Sequence, residues 1–206
     1  DRDIKMCGEA GVQAVFAPEA SEVYPAGFTT YVEVEGLSTR LCGAARPGHF
    51  RGVATVVVRL FNIVSPHKAV FGKKDFQQLV IIKRLVEDLG LEVKIIEVET
   101  VREADGLAMS SRNGYLNVHE RSSARCIPLS IGEAKRAFSS GVRASSAIIG
   151  DMKKIIEKEP LAVIEYVRIA DPATLEDIDT ITAAALAAVA VRIGKVRLID
   201  NAVLSV

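Results

Sequence analysis

Three short stretches of this chain collect groups that hold anions. In FGKKDFQQ, residues 71–78, a glycine is followed by two lysines, a carboxylate and a pair of glutamines. Where a strand hands over to a helix in an open α/β sheet, the helix N-terminus presents free N–H groups to a ligand lying outside the strand's carboxyl end. Lys73 and Lys74 add positive charge there, and Gly72 permits close approach of a ligand to the backbone. Asp75, Gln78 and, less directly, Lys74 share one side of the first helical turn, because residues three or four apart are neighbours. The same residues also fit an N-capped surface helix with two solvated lysines, and spacing alone does not separate the two. In DGLAMSSRNGYL, residues 105–116, Ser110 and Ser111 precede Arg112. Two hydroxyl donors and a guanidinium that takes phosphate oxygens in pairs would clamp an oxyanion. Serines in a turn equally cap the helix that follows. In GAARPGHF, residues 43–50, Arg46 and His49 lead into a helix, where they either meet an anion or serve as cap and packed ring.

Other chemistries find less support. His67 and His119 are isolated and read as surface residues, and no His/Cys/carboxylate set has the spacing of a protein-held metal site. No nucleophile–base pair is readable, so catalysis would rest on charge stabilisation and positioning. Lys plus Arg equals Asp plus Glu at 26 each. There is thus no global field for nucleic acid or anionic lipid, and anion binding must be local. Aromatic residues make up only 5% of the chain, which also argues against an RNA-binding surface. No apolar run reaches the ~18 residues of a membrane span, and no stretch resembles a signal peptide. Cys7, Cys42 and Cys126 lack CxxC or metal-type spacing and read as buried free thiols of a reducing cytoplasm.

The elements that must position these groups follow from the hydrophobic pattern of the 206 residues, 49% hydrophobic and 25% charged. The chain opens on the end of a helix stopped by Gly11, followed by an expected strand at residues 12–16. TTYVEVEG, residues 29–36, alternates like a strand with one wet face. HFRGVATVVVRLFNIVSP has helical spacing at Phe50, Val53, Val57, Leu60, Phe61 and Val64, ended by Pro66. KAVFG reads as a buried strand, DFQQLVIIKRLVEDLG as a helix from Asp75 to Gly90, and LEVKIIEVET as a strand. Strand, helix, strand is the pattern of a parallel sheet with helices on its faces. Beyond Thr100, helices are expected at about residues 120–139 and 143–159. Strands follow in AVIEYVRIAD and in the Ala-rich ITAAALAAVAVRI, the latter turning back through Gly194-Lys195. The expectation is an α/β fold: a partial Rossmann-like parallel sheet over residues 1–100, then a small α+β domain over residues 101–206.

RPGHFRGV, FGKKDFQQL, VREADGLAMSSRNGYL and the closing RLIDN, in this order and over essentially the whole chain, resemble the pantothenate synthetases (pantoate–β-alanine ligases). That family belongs to the nucleotidyltransferase superfamily, in which MSSRN takes the place of a KMSKS loop. The resemblance implies that ATP and pantoate form pantoyl adenylate and pyrophosphate, with Mg2+ held mainly by the phosphates. The amine of β-alanine then displaces AMP. It further implies that Gly72, Lys73, Lys74 and Asp75 match the family's nucleotide-binding GEKD segment, with Lys74 against the phosphates and Asp75 on the ribose. Gln78 matches a pantoate-binding glutamine and Val101 a backbone contact to adenine. Met109, Ser110, Ser111 and Arg112 match the phosphate-gripping loop. Lys73 stands where the family usually has Glu. The family's HxGH-type signature and first Rossmann strand have no counterpart here, so the resemblance implies a C-terminal portion, inactive by itself and of a cytoplasmic homodimer. Two rival readings are an adenylate-forming transferase acting on another small acid and a non-catalytic dimerisation fragment.

Overall fold

The structure, a computed structural model, describes residues 2–205. The chain divides into a compact unit up to Tyr31 and a second from Val32 onward. In the first, helix α1 (Arg2–Glu9) ends at Gly11, whose φ of 78° lets the Val12 N–H reach back to the Cys7 carbonyl at 2.9 Å. That is the left-handed closure glycine makes cheaply. The strand expected at residues 12–16 does not form: Val12, Val15 and Phe16 are about half exposed and pair with no other strand. A four-residue helix α2 (Ala20–Val23) follows. Tyr24, Phe28 and Tyr31 then stack edge to face, with centroids 5.2 and 5.8 Å apart.

The second unit opens irregularly. Residues 29–36 form no strand, although their alternation is real. Val34 is buried and Val32 packs beside it, while the Val32 N–H is taken by the Thr55 hydroxyl at 3.0 Å. Alternation reports one buried face; it does not supply a ladder partner. Next come α3 (Leu41–Ala45), α4 (His49–Val64), β1 (Lys68–Gly72), α5 (Phe76–Asp88) and β2 (Lys94–Val98). β1 and β2 pair in parallel from Lys68↔Lys94 to Gly72↔Val98, with α5 as the crossover; β1 is not the buried strand expected, since Val70 is exposed in a sheet of only two strands among the described residues. α5 ends at Gly90, with φ 60°, in the same closure as α1.

Beyond residue 100 the expected helix at 120–139 is two helices, α6 (Val118–Ala124) and α7 (Cys126–Ser139). Pro128 explains the break. Its ring would collide with the Ala124 carbonyl if one helix ran through, but within the first turn of a new helix no N–H is missed. α8 (Ser145–Ile156) and an antiparallel sheet of β3 (Ala162–Ala170), β4 (Ala185–Ile193) and β5 (Val196–Leu204) complete the unit. The β4–β5 hairpin turns at Gly194-Lys195 as expected.

α7 and α8 bury Ile127, Ile131, Ile148 and Met152 against alternate β4 residues Ala187, Val189 and Val191. A second cluster joins Phe50 and Ala54 of α4, and Ile81 and Leu85 of α5, to Leu186 and Ala188 of β4. Within this unit the sheet type changes from parallel to antiparallel beyond residue 100. All three cysteines are free; Cys42 and Cys126 are buried, whereas Cys7 is half-exposed, contrary to expectation. Burial pushes the Cys126 thiol up to about 12, which leaves it inert.

Gly43 of α3 lies so close to the Leu37–Thr39 turn that an added Cβ would sit 1.9 Å from the Ser38 carbonyl oxygen. Gly43→Ala is expected to cost about 1–3 kcal/mol by forcing those backbones apart. Gly52→Ala, in open space on α4, is expected to stabilise by up to about 1 kcal/mol. Urea unfolding of the two variants measures both.

Candidate active site

The first anion-binding stretch sits where β1 ends. Residues Lys73–Asp75 make a short 3-10 turn that feeds α5, and Asp75 occupies the helix's N-cap position without a side-chain capping bond. Its carboxylate is thereby left to the cavity described below. The adjacent glutamines divide, since successive helical residues are about 100° apart. Gln77 points inward: its Oε1 accepts the Cys42 N–H at 2.9 Å, and its Nε2 donates to the Leu37 and Arg40 carbonyls at 2.8 and 2.7 Å. Those bonds fix the segment before α4 against α5, and Gln78 is left facing the cavity.

The second stretch begins as a tight excursion after β2. The Met109 N–H reaches the Val101 carbonyl at 2.9 Å, the Glu103 N–H reaches Leu107, and Gly106 turns the chain at φ 86°. Ser110 then caps the short 3-10 helix Ser111–Tyr115, its Oγ accepting the Arg112 N–H at 3.3 Å. Asn113 ties the loop back to Glu103 and to the Ala108 carbonyl. The capping turn and the anion clamp are therefore not exclusive: the cap shapes a turn that holds Arg112 over the cavity. Lys74 joins the two stretches directly, its Nζ donating to the Met109 carbonyl at 3.0 Å.

Arg46, His49, Lys74, Asp75, Gln78 and Arg112 all line one cavity of about 230 Å³. A second, of about 200 Å³, shares Lys74, Asp75 and Arg112 with it and adds Ser110 and Ser111. Gly72, Lys73, Val101 and Met109 line neither cavity. The space in front of Gly72 is open. Lys73 turns to β2 and its loop, 2.5 Å from Glu99 and 3.7 Å from Glu97. Val101 is exposed, and Met109 offers its carbonyl rather than its side chain.

Several lining residues were not among those the sequence singled out. Arg197 reaches both cavities from β5, held by Glu165 at 2.7 Å and lying 3.5 Å from the Cys42 thiol, which in turn is 3.1 Å from the Tyr166 hydroxyl. Asp200 and Asn201, also on β5, complete the wall. The one signal for the β5 residues was the RLIDN motif, which contains all three and carried no assigned role.

The electrostatics are those of an anion site. Four cations, Arg46, Lys74, Arg112 and Arg197, face the larger cavity against two carboxylates, and Asp200 is already taken by Arg102 through bonds of 2.7 and 2.9 Å. Burial lowers the Lys74 pKa, and Arg112 pushes the same way against Asp75 and Asp200. Burial likewise depresses His49, with Arg46, Arg197 and Arg112 adding to it and Asp75 opposing. His49 Nε2 lies 3.2 Å from Arg46 Nη1; because a guanidinium can only donate, Nε2 is the acceptor.

A family model described as pantoate-beta-alanine ligase matches residues 1–203. The chain belongs to the pantoate-beta-alanine ligase family. Over 204 residues it is 52% identical to the pantothenate synthetase of Geotalea uraniireducens, covering 99% of this chain and 72% of that protein. The crystal structure of the pantothenate synthetase of Thermus thermophilus superposes with a TM-score of 0.94 at 42% identity, over 98% of this chain and 73% of that one. The pantoate-beta-alanine ligase of Francisella tularensis, solved in complex with beta-gamma ATP and beta-alanine, gives 0.75 at 30% identity over 98% and 68%. The pantoate-beta-alanine ligase family thus accounts for the α/β fold, its parallel pair followed by the antiparallel sheet. Among the described residues, no helix is long and apolar enough to cross a membrane.

The His49 shift makes a testable statement. Its folded pKa lies below the ordinary 6.5, so the unfolded chain takes up the proton more readily. Stability from this group is full above pH 6.5 and is lost as pH falls through the folded value. An NMR titration of the imidazole should show a midpoint below 6.5. Added tripolyphosphate, by screening Arg46 and Arg112, should move that midpoint upward.

Proposed function

We propose that this chain serves the ATP-dependent ligation of pantoate to β-alanine. In the first step a pantoate carboxylate oxygen attacks the α-phosphorus of ATP and the bond to pyrophosphate breaks, giving pantoyl adenylate. In the second the β-alanine amine attacks the acyl carbon, loses a proton, and AMP departs. Both steps bring anions together, so the site's main task is to spread cationic charge where negative charge gathers. The observation that carries this reading is the convergence of Arg46, Lys74, Arg112 and Arg197 on one cavity, in a chain of this family. The relative solved with beta-gamma ATP and beta-alanine supports the same substrates.

In this reading Lys74, Ser110, Ser111 and Arg112 hold the phosphates and neutralise the transferring group. Asp75 takes the ribose, Val101 offers its backbone to adenine, and Gly72, Lys73 and Met109 complete the nucleotide-binding segments. Gln78 holds pantoate, with Arg46 and His49 beside it. Residues 101–206 act as the lid over the nucleotide-binding part. Mg2+, which neutralises phosphate charge when bound, would be held mainly by the phosphates. Asp75 is the one carboxylate in the larger cavity's lining not engaged by Arg102. A cytoplasmic homodimer follows from the family resemblance.

Pantoate-dependent exchange of pyrophosphate into ATP is the experiment. Lys74→Ala and Arg112→Ala are each expected to lower it about 10²–10³-fold, while Gln78→Ala raises the KM for pantoate more than that for ATP. Exchange with other hydroxy acids in preference to pantoate would overturn the substrate assignment.

A further inference from the structure

Asp200 and Asn201, the last two residues of RLIDN, sit side by side on β5 and reach different parts of the site. Asp200 is 1% exposed, and a buried carboxylate is costly unless it is paired and hydrogen-bonded. Arg102 meets it with both terminal nitrogens and also donates to the Gly106 carbonyl at 3.0 Å, so the pair anchors the 101–109 excursion to β5. The Asn201 amide faces the other stretch: its Nδ2 donates to the Lys73 carbonyl at 3.0 Å and the Lys74 carbonyl at 2.8 Å. Two consecutive carbonyls bonded to one amide group define the path of that turn, and with it the position of Lys74. The Lys74–Met109 bond closes the triangle. No other described hydrogen bond joins β5 to the Lys73–Asp75 turn.

Taking the proposed phosphate-binding role as its basis, we propose that Asp200 and Asn201 are positioning residues. They form a two-pronged strut that sets the distance between the Lys74 turn and the Ser110–Arg112 loop, so that both grip one polyphosphate. Neither needs to touch the nucleotide. Asp200 also opposes, as a minor contribution, the lowering of Lys74's pKa by burial.

The test is amide hydrogen exchange together with tripolyphosphate titration on the 206-residue chain, comparing wild type with Asn201→Ala, Asn201→Asp and Asp200→Asn. Asn201→Asp is near-isosteric but lacks both donors, so it should behave like Asn201→Ala. In both variants, exchange at residues 73–75 and 108–112 is expected to rise about tenfold, and tripolyphosphate affinity to fall about tenfold, a change of 1.4 kcal/mol. Amides of β4 and α7 should keep their protection. Asp200→Asn, which leaves Arg102 without its carboxylate, should loosen residues 102–108 first. Unchanged exchange at both segments in the Asn201 variants, or loosening of β4 and α7 in step with them, overturns the strut. If the wild-type chain fails to hold tripolyphosphate, the phosphate-binding role falls, and the exchange pattern still decides the coupling.

Discussion

Strand β4 is covered on both faces, and the rest of the second unit is arranged around that fact. Eight of its nine residues are buried. One face meets α7 and α8 through Ala187, Val189, Val191 and Ile193, and the other meets α4 and α5 through Leu186 and Ala188. Such a strand can rely on neither the wet-face alternation of an edge nor bulky residues on both sides, because helices must approach closely from each. Its run of alanines meets that requirement. Since α5 packs on one face of β4 while β5 hydrogen-bonds to its edge, the N-terminus of α5 and the RLIDN segment are held in one frame.

That frame makes the cation cluster tolerable. Four positive side chains around a small cavity repel one another, and the lowered pKa values of Lys74 and His49 register the strain of holding them partly desolvated. Local bonds fix three of the four: Arg197 on Glu165, Lys74 on the Met109 carbonyl, Arg46 beside His49. A polyanion entering the cavity would replace this repulsion with attraction, which is the electrostatic preorganisation expected of a site that handles phosphates.

Much of this was legible from local pattern. The helical spacing around Leu79, Ile82 and Leu85, the position (though not the burial) of the strand KAVFG, and the hairpin at Gly194-Lys195 appear where they were expected, because periodicity and turn chemistry act within a few residues. The failures have a common cause. Residues 12–16 and 29–36 have no strand to pair with, and the helix through residue 125 is broken by a proline whose effect falls four residues upstream. In each case the decisive term was a neighbour's backbone rather than the residues' own preference.

The sequence by itself determined which residues could hold an anion: the lysines after Gly72, the serines and arginine before Asn113, and Arg46 with His49. It also determined the family, through four ordered motifs. Only the tertiary structure decided that Lys74 meets the Met109 carbonyl 35 residues away and that Lys73 turns aside to Glu99. It alone brought Asp200 and Asn201 of β5, with Arg197 beside them, across sequence separations of 98 and 128 residues to finish the wall. The physical reason is range. Capping, turn and helix preferences are settled between near neighbours, whereas an ion pair or a shared amide depends on which surfaces the buried strand β4 presses together.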